Sequence, residues 1–119
     1  DVGLLLDNIL SGTENEIEAQ QLGTTRELCQ LAINILSWQR LRNRIPLLLP
    51  AGTKVAHKTG TSGRNHNDAG IIYIKETPGF IFSAFTDEVP SEMPDGIPGA
   101  FAASHLIARM ARNCFNELS

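Results

Sequence analysis

Three stretches decide the fold: Val55-Ala56-His57-Lys58-Thr59-Gly60-Thr61, then Ala69-Gly70-Ile71-Ile72-Tyr73-Ile74-Lys75, then Phe80-Ile81-Phe82-Ser83-Ala84-Phe85-Thr86. In the first, Val55, His57 and Thr59 alternate with Ala56, Lys58 and Gly60, a period of two that predicts a strand over about 53–61. The other two predict strands over about 69–75 and 80–86. Ser62 to Asn67 reads as a polar connection. Thr77-Pro78-Gly79 reads as a turn, with proline presetting φ and glycine accepting the left-handed region. Connections this short make the three strands an antiparallel meander. Ile71 to Ile74 and Phe80 to Phe82 are apolar at successive positions, so both faces of the sheet are expected to be covered by helices.

Working outward, Leu28, Leu31, Ala32, Ile35 and Trp38 recur at helical spacing and predict a helix over about 25–41. Thr24 and Glu27, three apart, form a candidate capping box at its start, and Pro46 bars the helix from continuing further. Leu4 to Leu10 predict a short helix over 2–11 that stops at Gly12. Residues 13–22 are polar and acidic, a helical turn or a loop. Downstream, Pro90, Pro94 and Pro98 punctuate an acidic loop over 87–98. Ala100, Ala103, Ile107, Met110, Ala111, Cys114 and Leu118 then lie on one stripe of a helix over about 98–117, with proline near its first turn. The predicted class is α/β in the broad sense, α+β in detail. A three-stranded antiparallel meander is flanked by two N-terminal helices and one long C-terminal helix, all within one domain of residues 1–119.

The chain has 119 residues and a net charge of −3. That balance, without any basic run, excludes a nucleic-acid binder and gives no attraction to anionic membranes. Its apolar runs are far shorter than the ~20 residues that span a bilayer. Cys29 and Cys114 stand outside any CxxC pair and read as two buried free thiols; whether their Cβ atoms face one another is not legible from sequence. The opening Asp1-Val2-Gly3 enters a leucine-rich helix at once and reads as a chain that begins within a larger architecture.

Chemistry is concentrated at Lys58-Thr59-Gly60. On a strand, lysine and glycine share a face, so a cation stands beside backbone bare enough for a ligand to lie against. The N–H of Thr61 can then donate to an anionic oxygen, and together these suit an acyl compound bearing a carboxylate. A tripeptide alone is weak evidence, and a solvated edge-strand lysine reads equally well. Its context is more specific. Leu49-Pro50-Ala51-Gly52, then Lys58-Thr59-Gly60-Thr61, then Asn67-Asp68 leading into Ala69-Gly70-Ile71-Ile72, resemble the class A β-lactamases among the penicillin-recognising serine hydrolases, in order along essentially the whole chain.

The resemblance implies a portion of the β-lactamase/D,D-peptidase-like fold, the C-terminal part. It implies that Lys58 and Thr59 bind the carboxylate of a β-lactam or a D-Ala-D-Ala-like peptide, beside Gly60. The N–H of Thr61 would be half of an oxyanion hole. Arg44, fourteen residues before Lys58, would support the carboxylate, against the alternative of a helix-end arginine facing water. No cofactor or metal is implied. The chain has no Ser-x-x-Lys and no Ser-Asp-Asn, and no Glu-x-x-x-Asn stands where the deacylating loop would lie. In this family those elements precede the segment present here. The chain alone is therefore expected to be inactive, its partner being the missing N-terminal part of the domain, and to dimerise or aggregate through uncovered surface if expressed alone. The family also implies a periplasmic or secreted bacterial protein. A D,D-peptidase or a non-catalytic fragment are the alternatives.

Three further signals are weaker. His57 either tunes the charge beside Lys58 or faces the opposite side of the strand as a structural residue. His66 and Asp68 are two candidate metal ligands in a loop, too few to define a site. Gly52-Thr53-Lys54-Val55-Ala56-His57-Lys58-Thr59 approaches a P-loop, but His57 stands where the second glycine belongs and no helix follows.

Overall fold

The computed structural model describes residues 1–119. Three helices come first: α1 (Val2–Gly12), α2 (Glu16–Gln21) and α3 (Arg26–Ser37). A 3-10 turn, Ile45–Leu48, leads to strands β1 (Val55–Ser62), β2 (Asn65–Ile74) and β3 (Thr77–Ala84), and the chain closes with α4 (Gly99–Leu118). The sheet is antiparallel in the order β1-β2-β3, so β1 and β3 are its edges.

Each of the first three helices starts on a side-chain cap. Asp1 accepts from Leu4 N–H, Asn15 from Ile17 and Glu18 N–H, and Thr25 from Leu28 N–H. The cap of α3 is thus Thr25 and not the Thr24 of the expected box, because Thr24 N–H is spent closing α2 on the carbonyl of Ala19. Residues 13–22 contain a true short helix, a third element on this side of the sheet beyond the two expected. Helix α3 stops at Ser37 instead of running to about 41. The Trp38 N–H closes the last turn on Ile35 O at 3.1 Å, where Gln39 Nε2 also donates at 3.2 Å, and Ser37 Oγ donates back to Ile33 O at 2.7 Å.

Both inter-strand connections are tighter than the sequence implied. Strand β2 begins at Asn65, leaving Gly63-Arg64 as a two-residue loop between Ser62 and its partner Asn65. Gly63, at φ 55°, supplies the left-handed position such a loop needs. The second turn is Lys75-Glu76, with φ of 52° and 66°, and Thr77-Pro78-Gly79 lies inside β3. Pro78 is tolerated there because it sits opposite Tyr73, where the β2–β3 register shifts and β3 is an edge.

Alternation of side chains divides the core in two. Ala56, Ala69, Ile71 and Tyr73 face Leu6 of α1 and Ile33 of α3. Val55 and Ile72 face Ile45, Leu49, and Ile107 and Ala111 of α4. Helices therefore cover both faces, as the unbroken apolar runs of β2 and β3 require. Arg112 Nη1 donates to Leu48 O at 2.8 Å, tying α4 to the 3-10 turn. Cys29 lies on α3 and Cys114 on α4, on opposite faces of the sheet; both are free, and Cys114 is only half-buried.

Candidate functional site

Strand β1 carries the candidate site on an open edge. Its pairing with β2 continues beyond Val55, since Tyr73 N–H donates to Lys54 O at 3.0 Å. In an antiparallel ladder, bonded pairs alternate, so the even residues of β1 bond β2 and the odd ones point their N–H and C=O away from it. The N–H of Thr61 and the carbonyl of Thr59 thus face the open edge. Lys58 Nζ donates to that Thr59 carbonyl at 2.6 Å. Lys58 and Gly60 are exposed, and a Cβ at Gly60 would meet nothing within 4 Å. The edge therefore presents a cation, bare backbone and an outward N–H.

The other face of β1 is filled by a polar cluster. Arg44, at the head of the 3-10 turn, is only 7% exposed. Its Nη1 donates to the carbonyls of Gly60 and Asn67, its Nη2 to Thr61 Oγ1 at 2.6 Å, and its Nε to Ser104 Oγ on α4 at 3.4 Å. It makes no salt bridge; the buried Asp68 carboxylate pairs with His57 instead. A buried guanidinium that meets only neutral acceptors retains most of its charge for an anion at the edge. Thr59, 6% exposed, lies on this same face as Thr61, opposite Lys58.

His57 also points away from Lys58, and it is fully buried. Its Nδ1 lies 3.0 and 3.1 Å from the two oxygens of Asp68, whose Oδ2 also accepts from Ile45 N–H at 3.1 Å. Gly70 lets the two strands lie close here, since a Cβ on it would stand 2.5 Å from His57 Cβ and 2.7 Å from Ala56 O. His57 Nε2 has no partner. Asp68 is thereby withdrawn from any pairing with His66, and no group of three or more His, Cys, Asp or Glu converges on a metal position.

The structure thus brings Lys58, Gly60, Thr61 and Arg44 to one edge, with Thr59 behind it. Sequence reasoning missed Asn67 and Ser104, which complete the seat of Arg44, and the bond from Asp68 to Ile45. No local signal could have revealed them, because the partners lie 23 to 60 positions apart.

A helix-covered antiparallel sheet with an open, cationic edge strand is the architecture of the penicillin-recognising hydrolases. The model of the β-lactamase enzyme family matches residues 14–118, and the chain belongs to that family. Among solved structures, the TLA-1 extended-spectrum β-lactamase is similar at 25% identity and a TM-score of 0.74, over 98% of this chain and 39% of that one. A class A β-lactamase from Bacteroides cellulosilyticus DSM 14838 matches at 21% identity and TM-score 0.73, over 98% of this chain and 39% of that one. PBP-A shares the fold at 20% identity and TM-score 0.71, over 98% of this chain and 38% of that one. The chain therefore spans about two fifths of these structures. No curated protein matches it. No helix is long and apolar enough to cross a membrane.

Proposed function

We propose that this chain is the carboxylate-binding wall of a class A β-lactamase-like serine hydrolase that opens the β-lactam amide through an acyl-enzyme. The observation that carries the reading is the open edge of β1. Lys58 and the bare backbone at Gly60 lie before a buried Arg44 that lacks a counter-ion. In this reading the substrate carboxylate lies along Lys58 to Thr61, attracted by Lys58 directly and by Arg44 from behind. The N–H of Thr61 donates to the carbonyl oxygen as it gains charge on attack. The hydroxyl of Thr59 reaches the same carboxylate around the strand edge.

The serine nucleophile, its lysine base and the water-activating glutamate are not in this sequence. They belong to the remainder of the domain, which would also cover the exposed Leu4, Leu5, Leu28 and Leu31 of α1 and α3. As in the family, the protein would work in the periplasm or outside the cell. The test is hydrolysis of a chromogenic cephalosporin by the full-length protein, with and without Lys58→Ala. A fall in kcat/KM of about a hundredfold is expected from losing a charged contact made in the transition state. Unchanged turnover would overturn the role of Lys58. Rapid acylation without turnover would favour the D,D-peptidase alternative, since slow deacylation is what separates the two.

A further inference from the structure

Asp68 is 1% exposed and His57 is fully buried. Neither reaches the open edge, and neither is part of the carboxylate wall. Buried carboxylates need donors, and Asp68 has two: His57 Nδ1 and the Ile45 N–H. Ile45 is the residue after Arg44. The bond from Asp68 to Ile45 therefore fixes the backbone from which the Arg44 side chain departs. At the same time, pairing with His57 keeps the Asp68 charge off Arg44, which makes no salt bridge.

We propose that His57 and Asp68 are a positioning pair, which sets Arg44 against Gly60 and Thr61 and leaves its charge free for the substrate carboxylate. The inference rests on the carboxylate-wall reading above for its functional consequence, and on the geometry alone for its structural one. A carboxylate only accepts, so the shared proton lies on His57 Nδ1. Nε2 makes no hydrogen bond. What the device needs is a donor at the Nδ1 position; the rest of the imidazole is dispensable.

Two amide substitutions separate these requirements. His57→Asn puts an N–H near the Nδ1 position, whereas His57→Gln carries its amide to the Nε2 position, beyond Asp68. In the full-length protein, the imidazole 15N spectrum should show His57 protonated at Nδ1. The Arg44 Nε–H signal should be protected from exchange in the wild type and in His57→Asn, and lose that protection in His57→Gln. In acylation kinetics, His57→Gln should weaken the non-covalent β-lactam complex about tenfold, the loss of one hydrogen bond's worth of placement, with His57→Asn within about twofold of wild type. Equal Arg44 protection in both variants would overturn the positioning pair, whatever the activity. Protection that differs while β-lactam binding does not would leave the pair standing and sink the carboxylate reading of Arg44. Should His57→Gln fail to fold, Asp68→Asn serves: a neutral amide oxygen is a weaker acceptor than the carboxylate, so the His57 Nδ1 15N shift should move, and an unchanged one would count against the pair.

Discussion

Replacing Arg44 by methionine separates what the arginine does for the fold from what it does for the site. The guanidinium makes four donations, of which the one to Ser104, at 3.4 Å, is at the long limit. The other three, to Gly60 O, Asn67 O and Thr61 Oγ1, contribute roughly 1 kcal/mol each net, about 3 kcal/mol in all. Against this stands the desolvation of a cation that is 7% exposed and has no carboxylate partner, a cost of several kcal/mol. Gly60 and Asn67 are also paired with each other across β1 and β2, so their backbones keep a ladder after the substitution. Methionine keeps the aliphatic stem of arginine but stops at about Nε, so the space of the guanidinium head is left open at a further cost. The hydrogen-bond and desolvation terms largely cancel, and Arg44→Met is expected to lower stability by no more than about 2 kcal/mol. Acylation efficiency toward a carboxylate-bearing β-lactam should nevertheless fall about tenfold or more. Urea denaturation of the full-length protein and stopped-flow acylation with a chromogenic cephalosporin measure the two quantities. A stability loss above about 3 kcal/mol, with acylation intact, would refute the reasoning and make Arg44 a clamp for the hairpin.

Other outcomes follow from the same geometry. Gly70→Ala drives a Cβ to 2.5 Å from His57 Cβ and 2.7 Å from Ala56 O, so it should lower stability by about 2 kcal/mol, read as a lower urea midpoint at unchanged slope. Lys75→Asn with Glu76→Gly places residues suited to positive φ in the second turn and should raise stability by about 1 kcal/mol; no gain in melting temperature would count against the turn assignment. Burial raises the Tyr73 hydroxyl above its ordinary value of 10.0. The folded state therefore holds this proton more tightly than the unfolded one, and the associated stability is full below pH 10 and declines as pH rises through the folded-state value. Tyr73→Phe should flatten that alkaline decline in denaturation curves taken on either side of pH 10.

Much of the fold was legible because its signals are local. The alternation from Val55 to Gly60, the double-faced apolar run from Ile71 to Ile74 and the Ala103, Ile107 and Ala111 part of the C-terminal stripe each report one element and its covered face, whereas Ala100, Met110 and Leu118 of that stripe are exposed. The turns were not legible. Lys75 and Glu76 carry none of the residues that favour positive φ, while Thr77-Pro78-Gly79 looks like a turn and is a strand. Gly79 is small there because a Cβ would meet the Ile74 side chain at 2.7 Å. The site divides the same way. Lys58, Gly60 and Thr61 stand together in sequence and were found as a motif. The seat of Arg44 is assembled from the 3-10 turn, both strands of the hairpin and α4, and no spacing in one dimension encodes it.

The missing side chain at Gly70 has a consequence for how this chain can vary. The volume it vacates is taken by His57 Cβ and by the backbone of Ala56 and His57, so it sets how closely the two strands lie. Relatives that carry a side chain at position 70 should show the strands displaced there, because every residue but glycine at 57 keeps a Cβ. A library that randomises both positions should hold glycine at 70 while admitting at 57 other residues that donate to Asp68.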